Sequence, residues 1–294
     1  MDEPAWLVDR FEEHRAHLRA VAYRMLGSAS EADDAVQDSW LRISRSDTSG
    51  VENLAGWLTT VVARVCLNRL RSRRLHVEEP RGVQLPDSPA SGEDQSDPEG
   101  EALLADSVGL ALLVVLDTLE PAERLAFVLH DMFAVPFDEI APIVDRSSAA
   151  ARQLASRARR RVQGATSIPD GDRVRQREVV DAFLAASRDG DFDALVAILD
   201  PDVVIRADRA AVGRGGSREV HGARAVARGA LAFSARARFA QPALVNGAVG
   251  VVVAPLGRLF VVLDLKERDG KITDIDVIAD PERLRQLDLG VLDR

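Results

Sequence analysis

The stretch from Asp145 to Val162 (DRSSAAARQLASRARRRV) holds six arginines and, after Asp145, no acid, in a chain of 294 residues with a net charge of −9. Arginine and glutamine can place paired hydrogen bonds on base edges in a DNA major groove. Arginine also neutralises phosphate, which positions a protein on DNA without reading sequence. The competing reading is a solvated basic face at a helix C-terminus, which the helix dipole favours. Other reactive groups are sparse. The only tyrosine is Tyr23, and His221 is the only histidine after residue 174. A site of the ketosteroid-isomerase type needs an acid as base and a donor such as tyrosine for the oxyanion. Asp208, Asp264 and Asp276 are the acids that could flank a cavity there, but acids on strands are usually solvated. His14, His17, His76 and His130 show no metal-ligand spacing, so neither a metal nor a cofactor is expected, and the chain does not read as an enzyme.

The elements that would hold these residues follow from periodicity. Along Ser148–Val162, an apolar stripe of Ala151, Leu154, Ala158 and Val162 puts Arg152, Gln153, Arg157, Arg159 and Arg160 on exposed faces. Ser147 or Ser148 can cap that helix. Pro136 to Val144 (PFDEIAPIV) reads as a shorter helix before it. Asp145 occupies the turn between them, a position that often needs a left-handed residue, which Asp tolerates. Helix, tight turn and basic helix is the helix-turn-helix pattern.

Earlier, Leu7, Phe11, Leu18, Val21, Ala22 and Met25 recur at helical spacing. Gly27 and Ser28 break that helix. Ser30 precedes EADDAVQDSWLRIS, with Asp33 and Asp34 in its first turn, where acids suit the dipole. Residues 44–52 read as loop, and Leu54 to Arg74 as a long helix with no acid between Leu58 and Val77. Arg64, Arg69, Arg71, Arg73 and Arg74 lie on it, while Trp40 and Trp57 read as packing residues. Residues 76–101 contain eight acids, one arginine and four prolines, the composition of a self-repelling linker. Glu120 and Pro121 open another helix.

After residue 174 the pattern becomes two helices around Asp189-Gly190-Asp191, then strands at DVVIRAD, RFAQPALV, GVVVAPL, RLFVVLDLKE and ITDIDVIA. Asp269-Gly270 signals a hairpin. The expected architecture is two all-α domains, the second a helix-turn-helix, followed by an α+β domain with a mostly antiparallel sheet. The expected boundaries are 6–75, 76–101 for the linker, 102–165 and 174–294. The single cysteine, Cys66, fits a reducing compartment. The N-terminus lacks a signal-peptide pattern, and no run of about 18 apolar residues predicts a membrane span. A cytoplasmic protein with no membrane partner is expected.

DDAVQDSWLRI (33–43), NLAGWLTTVVARVCLNRLRSRR (53–74) and LEPAERLAFVLHDMFAVPFDEIAPIVDRSSAAARQLASRARRRV (119–162) together resemble the bacterial extracytoplasmic-function (ECF) sigma factors, which carry sigma domains 2 and 4. VVDAFLAASRDGDFDALVAILDPDVVI (179–205) and HGARAVA (221–227) resemble SnoaL-like domains of the NTF2-like superfamily, a cone of helices and sheet. The sigma-J type subgroup joins the two. The resemblance implies a subunit that binds core RNA polymerase, through the clamp of its largest subunit and the flap of the second, and directs initiation at promoter DNA. Asp33, Asp34, Gln37, Asp38, Trp40 and Leu41 match the region that binds the clamp. Asn53, Trp57, Arg64, Asn68, Arg71, Arg73 and Arg74 fall in the segment that engages and melts the −10 element. An extruded base could sit in the 44–52 loop. Ser148, Arg152, Gln153, Arg157, Arg159 and Arg160 fall on the helix that reads the −35 element.

The resemblance also implies regulation by the C-terminal domain, whose cone has room for a small ligand. The residues matching the subgroup's regulatory motifs are Leu85 and Pro86 in the linker, Asp208, and Asp280, Pro281 and Leu284 near the end. The sequence departs from the subgroup at Gln84, where that motif has Trp, and after Asp208, where Arg209, Ala210 and Ala211 replace three glycines. Such a loop is less pliable. The alternatives are a stand-alone ligand-sensing helix-turn-helix regulator, or an NTF2-like enzyme with a DNA tether.

Overall fold

A computed structural model describes residues 3–46, 48, 50–76, 109–164, 170–212, 219–255 and 259–292. Leu85, Pro86 and most of the expected linker lie outside the described residues. The chain forms two compact units, residues 1–108 with 119–158, and residues 109–118 with 159–294. The helices expected within 102–165 are thus shared between the units.

In the first unit, α1 (Glu3–Leu26), α2 (Ala29–Ile43) and α3 (Leu54–His76) pack against one another. Gly27 ends α1 with a φ of 79° and Ser28 caps α2, its side chain accepting from the Glu31 N–H. The second helix therefore starts one residue before Ser30, the expected boundary. Phe11, Leu18, Val21, Met25, Val36, Ile43, Leu58, Val62 and Leu67 are buried, the periodic apolar positions of the three helices. Burial pushes the Cys66 thiol up to about 12.

The rest of this unit is α5 (Pro121–Phe127), α6 (Phe137–Val144) and most of α7 (Ser148–Gln163). Between α5 and α6 the helix widens into a π turn over Val128–Met132, a feature periodicity does not reveal. Packing joins α5 and α6 to α3, and the π turn to α1. Arg124 on α5 is fully buried, with Nε donating to the Arg24 carbonyl at 3.2 Å. Phe133 meets the His17 ring edge-on at 5.2 Å and takes the Arg24 guanidinium over its face at 5.1 Å.

The second unit begins with α4 (Leu110–Thr118), an almost wholly apolar helix that lies along strands β3 (Ala240–Val245) and β7 (Leu289–Gly290). The Ala111 N–H donates to Gln241 Oε1 at 3.3 Å. Helices α8 (Asp170–Asp189) and α9 (Phe192–Ile198) follow, turned by Gly190 (φ 72°) and capped by Asp191. Next come β1 (Leu199–Ala207), β2 (Glu219–His221), α10 (Ala223–Ala232), the short α11 (Ser234–Ala237), β4 (Ala248–Val253), β5 (Val261–Arg268), β6 (Lys271–Ile278) and α12 (Pro281–Gln286).

One sheet runs β2-β1-β6-β5-β4-β3-β7, antiparallel except for the β1–β6 pair. Asp269 and Gly270 turn the β5–β6 hairpin with φ of 54° and 77°, the two positive values a type I′ turn requires. Leu265, Ile275, Val249 and Val251 join Val180, Phe183, Leu184 and Val226 of the helices in one apolar cluster. The α+β expectation holds. Sequence reading missed β2, β7, α10 and α12, which are short or lack an alternating pattern.

The chain end is tied to α7 inside this unit. The Val291 N–H donates to the Val162 carbonyl at 2.8 Å, and Gly164 caps α7 with a φ of 67°. A Cβ on Gly290 would lie 2.7 Å from the Gly164 Cα. Gly290→Ala is expected to destabilise the protein by about 1–3 kcal/mol through this overpacking. A lowered urea midpoint is the measurement, and an unchanged midpoint would contradict the close approach.

Candidate nucleic-acid interface

The turn between α6 and α7 is rigid for local reasons. Asp145 ends α6 in the left-handed region (φ 57°, ψ 53°), as its position in the sequence predicts. The Arg146 N–H donates to the Ala141 carbonyl at 3.1 Å. Ser147 Oγ accepts from the Ala150 N–H at 3.2 Å and so caps α7, while the Ser148 hydroxyl donates to Asp138 at 2.5 Å. Ser148 is therefore a brace across the two helices.

Ala151, Ala155 and Ala158 form the buried face of α7. Ala155 takes the place expected for Leu154, which is only half-buried. Small side chains there let the helix pack closely and leave Arg152, Gln153, Arg157, Arg159 and Arg160 exposed. At 3.6 residues per turn, Arg152 and Arg159 share one row, with Gln153 and Arg160 beside it. The Arg152 guanidinium lies 5.3 Å from the Phe137 ring centroid. Arg157 is turned away from that row and pairs with Glu123 at 2.7 Å, whose side chain is 9% exposed.

On α2, Asp34, Gln37 and Leu41 form an exposed row, and Leu41 is 49% exposed. Trp40 is half-buried against Phe11 at 4.9 Å. Asp33 accepts a paired hydrogen bond from Arg19 at 2.6 and 3.1 Å. Asp38 pairs with Arg69 at 2.5 Å, and Arg73 pairs with Glu31. Between α2 and α3 lies an open groove of about 520 Å³, lined in part by Asp38, Arg42, Asn68, Arg69 and Arg73. Arg69, on the expected basic helix but not singled out as a contact, and Arg42, not expected at all, complete this groove. The four-residue spacing of Arg69 and Arg73 was the available signal.

Asn53 caps α3, its side chain accepting from the Gly56 N–H at 3.0 Å. Trp57 is half-buried, whereas Arg64, Asn68 and Arg71 form an exposed row. The Arg74 side chain lies outside the described residues. Helix α6 covers the start of this segment. Glu139 Oε2 lies 3.2 Å from where a Gly56 Cβ would be, and Arg64 donates to the Pro142 carbonyl at 3.4 Å.

In the second unit Asp208 is a connector. Its carboxylate accepts from the N–H groups of Ala211, Ala279 and Asp280 at 3.0, 3.0 and 2.9 Å, and Arg283 lies 3.5 Å away. Asp280 in turn caps α12 by accepting from Glu282 and Arg283, Pro281 takes the first helical position and Leu284 is buried. Burial opposes the Asp208 charge, but the three N–H donors and Arg283 outweigh it and hold the carboxyl below its ordinary value. Asp264 and Asp276 are cross-strand partners on the face opposite Leu263 and Val277. Burial pushes the Asp264 carboxyl up, with Asp276 adding to the effect.

The chain matches the family described as "Sigma-70 region 2" over residues 10–76 and that described as "Sigma-70, region 4" over residues 109–162. It is 39% identical to the ECF RNA polymerase sigma factor SigJ of Mycobacterium tuberculosis (strain ATCC 25618 / H37Rv), over 94% of this chain and 92% of that protein. It is 33% identical to a probable ECF RNA polymerase sigma factor, SigI, of Mycobacterium tuberculosis (strain CDC 1551 / Oshkosh), over 93% of each chain. The crystal structure of the Mycobacterium tuberculosis SigJ is similar at 37% identity, covering 94% of this chain and 97% of that one with a TM-score of 0.47.

A folded-state pKa below the unfolded value stabilises the protein above the unfolded pKa, and the contribution is lost as pH falls through the folded one. Asp208→Ala is accordingly expected to cost about 1–3 kcal/mol near neutral pH. The difference from wild type should shrink on acidification below the ordinary carboxylate range. Urea titrations of both proteins at neutral and acid pH check this, and a pH-independent difference would refute the charge-based account.

Proposed function

Because the chain belongs to the ECF RNA polymerase sigma factors, which bind core polymerase and direct promoter-specific initiation, we propose that the exposed row of α7 reads the −35 element. Arg152, Gln153, Arg159 and Arg160 are its contacts. The observation that carries this reading is the locked turn at Asp145 and Ser147, which presents that row with the alanine face buried. Arg157 braces the helix through Glu123. Arg64, Asn68 and Arg71 engage the −10 region, with Arg73 and Arg74 following on the same helix. Asn53 supports the segment as a cap and Trp57 by packing.

The clamp of the largest polymerase subunit is met by Asp34, Gln37 and Leu41, an apolar residue among polar ones on a surface row. Asp33, Asp38 and Trp40 hold that row in place. The flap of the second subunit is met by the region-4 helices. A cytoplasmic role without catalysis of its own goes with this reading.

Regulation by the fused α+β domain is supported by the division of the chain, since α4 and the end of α7 both belong to the C-terminal unit. In the first unit α6 lies on the start of α3, so the beginning of the −10 segment is covered until these helices separate, while Asn68 and Arg71 stay exposed. The domain acts by setting when they do.

Arg152→Ala is expected to lose about 1–3 kcal/mol of discrimination at one base pair of the −35 element. Run-off transcription on single-substitution promoters measures it, and an equal loss on every sequence would make Arg152 a phosphate contact. Asp34→Lys, an exposed change, should weaken binding to core polymerase in a pull-down without altering the unfolding midpoint. Undiminished binding would remove α2 from the polymerase face. Joining Gly56→Cys and Glu139→Cys with a short bismaleimide should abolish core-dependent initiation. Full activity of the cross-linked protein would rule out the separation step. The buried, poorly ionised Cys66 does not compete for the reagent.

A further inference from the structure

The C-terminal unit contains an open cavity of about 610 Å³ at the junction of α9, α10 and the start of β6. His221, Arg224, Arg228 and Lys271 line it, and among the described residues no acid does. Leu199 and Ala223 belong both to its lining and to the apolar cluster of this unit, against which Val196 also packs. Its floor is apolar, from Val196, Leu199 and Pro201 among others.

Three fixed cations gathered on one concavity repel one another, in a chain whose net charge is −9. Their positions are set individually. The Arg224 guanidinium is held over the Phe192 ring at 5.1 Å. Arg228 Nε donates to the Arg224 carbonyl at 3.2 Å. The Lys271 ammonium donates to the Ala197 carbonyl at the end of α9. Glu219, two residues before His221 on β2, is engaged by His221 at 3.4 Å and Arg206 at 3.7 Å.

The ten-residue α10 opens onto the same space. Gly222 and Ala223 line the cavity, and this helix start has neither a side-chain cap nor an acid in its first turn. Arginine pairs geometrically with phosphate oxygens, and a helix N-terminus adds partial positive charge and N–H donors.

We propose that this cavity binds a small organic phosphate, its phosphate held by Arg224, Arg228, Lys271 and the start of α10, and its apolar part resting on Leu199 and Pro201. His221 adds a further donor and, when protonated, a fourth charge. The concave shape and apolar floor fit a small molecule better than a duplex, whose phosphates lie along an extended convex ridge. The inference does not depend on the sigma assignment, because the promoter-reading residues are elsewhere.

The test is calorimetric titration of the full-length protein with phenyl phosphate, with inorganic phosphate, and with a short duplex of unrelated sequence. The expected result is saturable binding of phenyl phosphate, tighter than inorganic phosphate and weakened by salt. Arg224→Gln with Arg228→Gln should weaken it about tenfold or more. Arg228→Glu alone, an exposed change, should do the same, and is the variant to rely on if the double variant unfolds. Absence of saturable phenyl phosphate binding would overturn the proposal. So would equal affinity in a folded variant, or a duplex affinity that depends on Arg228 while phenyl phosphate does not bind.

Discussion

The first unit is organised around a charge that cannot be neutralised. Arg124 is 2% exposed, and an arginine stays protonated under all ordinary conditions. Burying such a group costs several kcal/mol unless its hydrogen bonds and charge are met. They are met in part by the Arg24 carbonyl, near the C-terminal pole of α1, where the helix dipole is negative. Gly27 ends that helix beside the guanidinium, and a Cβ there would lie 3.6 Å from it. Helix α5 is thereby fixed against α1, the π turn brings Phe133 onto His17 and Arg24, and α6 comes to rest on α3. Burial, then the neighbouring His14 and Arg24, push the His17 imidazole down, which disfavours a further cation in this joint.

The charged groups outside that joint fall into two kinds. Pairs such as Arg19–Asp33 and Arg69–Asp38 are partly solvated. Exposed pairs contribute about 0–1 kcal/mol each, so exchanging one partner for a phosphate or a basic helix of the polymerase is a small change. Arg157–Glu123 differs, because its carboxylate is nearly buried. Moving Arg157 away would take one charge partner from a desolvated carboxylate. The same physics separates residues that can change partners from residues that hold others in place, and it divides the basic face of α7 in a way composition alone does not.

Much of this was legible from local chemistry. The αL position of Asp145, the cap at the start of α7, the Asp269-Gly270 hairpin and the turn at Gly190 each follow from one or two residues whose backbone preferences have few alternatives. Periodicity located α2 and α3 to within a residue or two, whereas α8 starts at Asp170, four residues before the expected Val174. The failures are of another kind. Leu154 and Ala155 both suit a buried helical position, and only the close packing of α7 selects the alanine. Asp208 looked like a motif remnant, yet its carboxylate ties the end of β1 to the junction of β6 and α12 across more than seventy residues of sequence. The groove arginine Arg69 was visible, but its partner Asp38 lies on another helix. The cationic cavity draws on α9, β1, α10 and β6, so no single window contains it. Long-range juxtaposition is what sequence spacing does not encode.

The same logic bears on how a fused domain could govern promoter reading. Helix α7 is held in the C-terminal unit at its far end, where Val162 accepts from Val291 and Gly164 packs on Gly290. Arg152 and Gln153 lie in its first turns. At 1.5 Å per residue the two ends of this span are about 15 Å apart. The C-terminal unit thus holds this end of the helix by backbone contacts, away from the Arg152 and Gln153 side chains. Helix α4 supplies a second grip at the other border of region 4, through its apolar face and the Ala111–Gln241 hydrogen bond.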